Sequence, residues 1–179
     1  MEIPLTPNMK NVVVSAGAKR TMLRKEIAST ETIAVGSSHG DFGFNPAYCP
    51  GAFNLCSRSQ DLKYSFHLYQ HVARSQPNLE QVVLFYSIFS PGFIWEQVPS
   101  ENEMCPPLNE IFGLGLTYED PRLDAISRAV AGKLDTLAVE TPGVGGFIGN
   151  TTKTFFPETY GAERRAQDHL KYNRSCLSG

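Results

Sequence analysis

The sequence predicts an α/β fold, a three-layer sandwich with helices on both faces of a parallel sheet. Three observations carry that expectation. Two short apolar runs, residues 32–35 and 52–55, each stop at a turn of small hydroxyl residues, Gly36-Ser37-Ser38-His39 and Cys56-Ser57-Arg58-Ser59. A third run, QVVLFYSIF over residues 81–89, is almost continuously apolar, β-branched or aromatic, which fits a central strand covered on both faces. Between the second and third runs lies a helical pattern. The order strand, turn, strand, helix, strand is that of parallel crossovers.

Taken in order, residues 11–30 mix apolar and basic positions, and 19–29 reads as a short helix leading into the first strand. Residues 41–50, with Gly43, Pro46 and Pro50, form a loop with at most one helical turn, where Asp41 is a candidate cap. Ser59 or Asp61 caps a helix running to about residue 75, with Leu62, Phe66, Tyr69 and Val72 along one face. Pro77-Asn78 stops it. Residues 91–117 carry four prolines and scattered aromatics, the mark of an irregular excursion. Asp120-Pro121 opens a helix over 122–134, with Leu123, Ile126, Val130 and Leu134 on one face. Either a strand lies near 136–139 or the chain is short of a complete sheet; a glycine-rich stretch over 141–150 and a charged helix over 158–173 complete the reading. The expected core is Ile33, Val35, Phe53, Leu55, Val83 and Phe85. Right-handed crossovers place the first strand between the second and third, with a switch point beside Ser38.

Length and composition narrow the function. A chain of 179 residues is one domain, here 1–179, with 91–157 as an irregular and helical insertion of lid-like character. Its net charge of −2 and its lack of a Lys/Arg run, apart from the spaced Lys19, Arg20, Arg24 and Lys25, argue against nucleic acid. No apolar run approaches a membrane span, and the N-terminus does not read as a secretory signal, so a cytoplasmic location is expected. Cys49, Cys56, Cys105 and Cys176 lack paired spacing and are read as reduced thiols. No cofactor or metal is expected. His67 and His71 share a helix face at a spacing metals use, but two exposed histidines are the plainer reading. The stretch Gly143-Val-Gly-Gly-Phe-Ile-Gly149 fits neither nucleotide-loop pattern and reads as a surface loop.

The chemistry is expected where the first two strands end. Parallel neighbours would open both turns into one crevice, where α/β sheets bind ligands. A serine hydroxyl beside free backbone N–H groups suits acyl or ester chemistry, although a phosphate-binding turn needs the same small residues. Ser38 is the candidate nucleophile and Ser37 a polar spacer. His39 is adjacent to Ser38, so a solvent-facing or loop-bracing role is expected of it rather than that of base.

These two turns resemble the SGNH/GDSL hydrolase superfamily, in the branch of bacterial capsule and surface-polysaccharide acyltransferases and esterases. The likeness covers residues 30–95. It implies a flavodoxin-like sheet and serine-dependent acyl transfer or ester hydrolysis on a carbohydrate, with Ser38 as nucleophile. Its oxyanion and substrate-binding positions correspond to Asn54, Cys56 and Ser57 in the second block and to Ser90 at the third strand end. The usual Gly-Asp-Ser is Gly-Ser-Ser here. The Gly-x-Asn-Asp block is not found, nor is Asp-x-x-His-Pro, since Asp168 and His169 are adjacent. The departure implies a truncated, inactive member with a bare sheet edge that favours a second copy of the chain. The alternative is a glycan- or protein-binding module of the same ancestry.

Overall fold

In a computed structural model, residues 4–134 are described; they belong to the unit Met1–Glu140. The expectations over 136–139, 141–150 and 158–173, with Asp168, His169 and Cys176, lie outside them.

The first helix, α1 (Pro7–Glu26), is much longer than the sequence pattern indicates. Thr6 caps it, its hydroxyl accepting from the Met9 amide at 3.2 Å, and Pro7 fills the first position, where a missing N–H costs nothing. Met9, Val12, Val13, Ala16 and Leu23 form its buried stripe. A helical turn and Thr30 lead into β1 (Thr32–Gly36), buried along its whole length. Next come α2 (Ser38–Gly43), β2 (Ala52–Asn54), α3 (Leu62–Ala73) and β3 (Gln81–Phe85).

The three strands form a parallel sheet in the order β2-β1-β3. The central position of the first strand is as expected. In register, Ile33 lies beside Phe53 and Val82, and Val35 beside Leu84. Those side chains share one face because neighbouring strands point partnered residues the same way. Ile33, Val35, Phe53 and Leu55 are buried in a core with Tyr64, Leu68 and Val72 of α3 and with the α1 stripe. On the opposite face α2 and the chain after it cover Gly36 and Phe85, and the Phe44 ring meets Phe85 at 5.9 Å.

β3 departs from the expectation of a strand covered on both faces. Among the described residues it pairs with β1 alone, so it lies at the edge. Val82 and Leu84 are 43% and 47% exposed, and Val83 and Phe85 are half-buried rather than core. Its continuous apolar run reflects an edge with apolar residues on both faces.

α3 is the expected helix, capped by Asp61 of the two candidates, but its inward face differs. Tyr64, Ser65, Leu68 and Val72 turn inward, while Leu62, Phe66 and Tyr69 are exposed. Only Val72 of the anticipated stripe is buried. Asp61 is itself buried, taking the Tyr64 amide on Oδ1 at 2.9 Å and the Trp95 amide on Oδ2 at 3.0 Å.

The stretch after Ser90 is more regular than its prolines suggest. Two of them open α4 (Cys105–Phe112), where the first turn has amides to spare, and Gly113 ends it with φ of 64°. Trp95, Met104, Leu108, Ile111 and Phe112 join the main core. The last helix, α5 (Pro121–Ala131), is capped by Asp120 and buries Leu123, Ile126 and Val130 as its periodicity indicates. No disulfide links Cys49, Cys56 and Cys105. Among the described residues no helix is long and apolar enough to cross a membrane.

Candidate active site

The site begins at the end of the central strand. Gly36 has φ of 133°, and a Cβ there would lie 2.6 Å from the Phe85 carbonyl oxygen. Both the conformation and the close approach require glycine. The chain then turns sharply: Ser37 is extended and caps α2 in position, and Ser38 is the first helical residue. The Ser37 carbonyl accepts the amides of Gly40 at 3.0 Å and Asp41 at 3.2 Å. Its hydroxyl makes no cap bond; instead Ser37 Oγ lies 3.1 Å from His39 Nδ1. His39 is exposed, and the imidazole braces the turn through Ser37, as expected of it. Ser38 is half-buried, and its hydroxyl has no hydrogen-bond partner among the described residues.

The second turn sits directly beside the first. The β1–β2 ladder continues past the last strand residue, with the Leu55 amide on Ala34 at 2.8 Å and the Ser57 amide on Gly36 at 3.0 Å. Alternate amides of a parallel strand point to the same neighbour, so Ser57 spends its N–H on the sheet. That amide, anticipated as an oxyanion donor, is therefore occupied. The Cys56 amide is occupied as well, donating to Asn54 Oδ1 at 2.9 Å. Asn54 in turn gives both amide hydrogens to the carbonyls of Gly40 at 2.9 Å and Phe44 at 2.8 Å. It is a strut between the two turns, with no donor left for a substrate. Gly40 is packed so closely on the Cys56 sulfur and the Phe85 ring that a Cβ would overlap both.

Cys56 is buried, and burial pushes its thiol up to about 12, against the pull of nearby Lys19. A thiol so raised is inert at neutral pH. Ser90 lies in the loop after β3, where its hydroxyl accepts the Ser87 amide at 2.9 Å and closes a small turn. The structure thus joins Ser38, Asn54, Cys56 and Ser57 around two adjoining turns, and gives Ser90 a local role in a third loop.

One residue of this assembly carries no signal in the sequence. Lys19, from the middle of α1, donates to Asp41 Oδ1 at 2.6 Å and also to the Cys56 carbonyl. A single ammonium therefore ties α2 to the turn after β2. In the sequence Lys19 is one of four spaced basic residues, and nothing separates it from Arg20, Arg24 and Lys25. Asp41, expected to cap a turn, is the counter-charge of this link. Among the described residues no group of three or more His, Cys, Asp or Glu side chains is arranged to hold a metal ion, His67 and His71 included.

Compared with protein-family models, with curated proteins and with solved structures, the chain matches none. The geometry of the site itself therefore carries the functional reading.

Proposed function

We propose that the chain carries serine-dependent ester chemistry, hydrolysis or acyl transfer on a carbohydrate ester, at the Gly36–Ser37–Ser38–His39 turn. A three-layer, SGNH-like sandwich belongs to the same reading. One observation carries it: the half-buried, unpartnered Ser38 hydroxyl at the carboxyl end of the central parallel strand, where α/β sheets bind ligands. Ser38 Oγ attacks the acyl carbonyl and gives its proton to a base, while the sugar oxygen leaves with a proton. Water, or an acceptor hydroxyl, then takes the acyl group and frees the serine. The Ser38 amide, in the first helical turn, donates to the oxyanion. Cys56 and Ser57 shape the neighbouring wall and give it no amide.

A binding-only module is favoured by a different observation. Two of the anticipated oxyanion donors are spent inside the fold, and the described imidazole bonded to a serine hydroxyl holds Ser37 rather than Ser38. Labelling of the purified chain by a fluorophosphonate probe separates the two. Labelling abolished by Ser38→Ala supports the enzyme. An unlabelled chain that still binds an oligosaccharide supports the binding module.

A further inference from the structure

Around His71, arginines from two helices lack ion-pair partners among the described residues. Arg20 and Arg24 are one turn apart on α1, so they share a face, and His71 and Arg74 do the same near the end of α3. The two helices contribute to one core, and the His71 ring stands edge-on to Phe112 of α4 at 6.3 Å. Arg20, Arg24 and Arg74 all act electrostatically on His71, and Arg24 acts on Arg20. Among the described residues none of these three arginines has a carboxylate within ion-pair distance, whereas Lys19, Arg58, Lys63, Arg122 and Arg128 each have one. Mutual repulsion of this kind is a cost to the folded chain that a bound anion removes.

We infer that Arg20, Arg24, His71 and Arg74 form a binding surface for an acidic polysaccharide, engaging successive carboxylates along the polymer. Three features choose this ligand. Arg20 and Arg24 are separated by about 6 Å along the helix axis, which suits charges repeated along a chain better than one compact anion. The ring that stands against His71, Phe112, is buried and gives single-stranded nucleic acid no face to stack on. The exposed apolar residues of α3 lie on another side of the helix: at 100° per residue, Leu62, Phe66 and Tyr69 point nearly half a turn away from His71 and roughly a third of a turn away from Arg74. A membrane surface would require the apolar and basic residues on one side. The choice of a carbohydrate polymer rests on the ester reading above, whereas the positive surface does not.

The test titrates the full chain with a polygalacturonate of defined length at low and rising salt. Anionic phospholipid vesicles and a single-stranded oligonucleotide are measured in parallel. The expected result is salt-sensitive polygalacturonate binding that weakens by about tenfold or more in the R20Q/R24Q/R74Q variant, with a shallower salt slope. The charge-keeping R20K/R24K/R74K variant should retain most of the affinity, and Lys10→Gln, at the other end of α1, should change nothing. Far-UV circular dichroism confirms that each variant is folded. Equal binding by the charge-neutral variant overturns the proposal, and so does arginine-dependent binding to vesicles or oligonucleotide without polygalacturonate. Arginine-dependent polygalacturonate binding by a chain that no fluorophosphonate labels leaves this surface standing and removes the ester chemistry.

Discussion

At the scale of single residues, two adjacent hydroxyls compete for one role. The motif register points to Ser38, and its free hydroxyl agrees with that, while Ser37 is held by His39 at 3.1 Å. Ser38→Ala is expected to abolish fluorophosphonate labelling and Ser37→Ala to leave a measurable remainder. The reverse pattern would make Ser37 the nucleophile and His39 its base, since a hydroxyl within hydrogen-bond reach of an imidazole is the usual form of an activated serine. Gly40 makes a second prediction. Its replacement by alanine drives a methyl group into the Cys56 sulfur and the Phe85 ring, and should cost about 1–3 kcal/mol in urea unfolding, the range for overpacking. An unchanged midpoint would show that α2 can move away from the sheet. The glycine-serine turn was legible in the sequence because small residues directly after an apolar run mark the point where a strand must stop and turn. The fate of the amides was not, because a ladder bond such as Ser57 to Gly36 depends on the pairing register of two strands.

Elements were legible where local chemistry set their limits. Asp120-Pro121 and Asp61 announced their helices, and both capped as expected. The start of α1 at Thr6-Pro7 bears the same signature, but the mixed polar surface of the helix obscured its period. The inward face of α3 was hidden because Leu62, Phe66 and Tyr69 outweigh Tyr64 and Ser65 in hydrophobicity, while the inward position of Tyr64 follows from its tertiary partners. Its hydroxyl meets Glu96 and Tyr118, each at 3.0 Å. The cap itself can be tested: Asp61→Ala removes the acceptor of the Tyr64 amide, at about 1–2 kcal/mol. It also strands the buried Trp95 amide, so the measured loss should exceed that of a surface cap. A loss below about 1 kcal/mol would mean that water replaces the carboxylate. The end of α3 adds a pH dependence. Burial, and then Arg20, Arg24 and Arg74, hold the His71 pKa below its ordinary 6.5. The unfolded chain therefore takes up the proton more readily than the folded one. Stability contributed by neutral His71 is intact above about pH 6.5 and falls as pH drops toward the lower folded value. His71→Gln should flatten that part of the stability profile; an unaltered slope would assign it to other groups.

For the molecule as a whole, the class was legible and the limits of the sheet were not. The run 81–89 reads the same whether both faces are covered or one side lies open. Among the described residues β3 is an edge strand beside exposed Ile88 and Phe89, with Leu62 and Phe66 exposed on α3. Unpaired strand edges with apolar side chains favour association. Sedimentation velocity is expected to show concentration-dependent self-association that Leu84→Lys reduces; a wild-type monomer at every concentration would contradict it. The burial of Trp95 has a practical consequence for all such measurements. It is the chain's single tryptophan, fully enclosed, with Tyr64 at 5.1 Å and its backbone tied to the α3 cap. Its emission is therefore an optical gauge of one locality, where the chain after β3 is fastened to α3. A red shift that precedes the loss of far-UV ellipticity would time the release of that fastening separately from the melting of the helices.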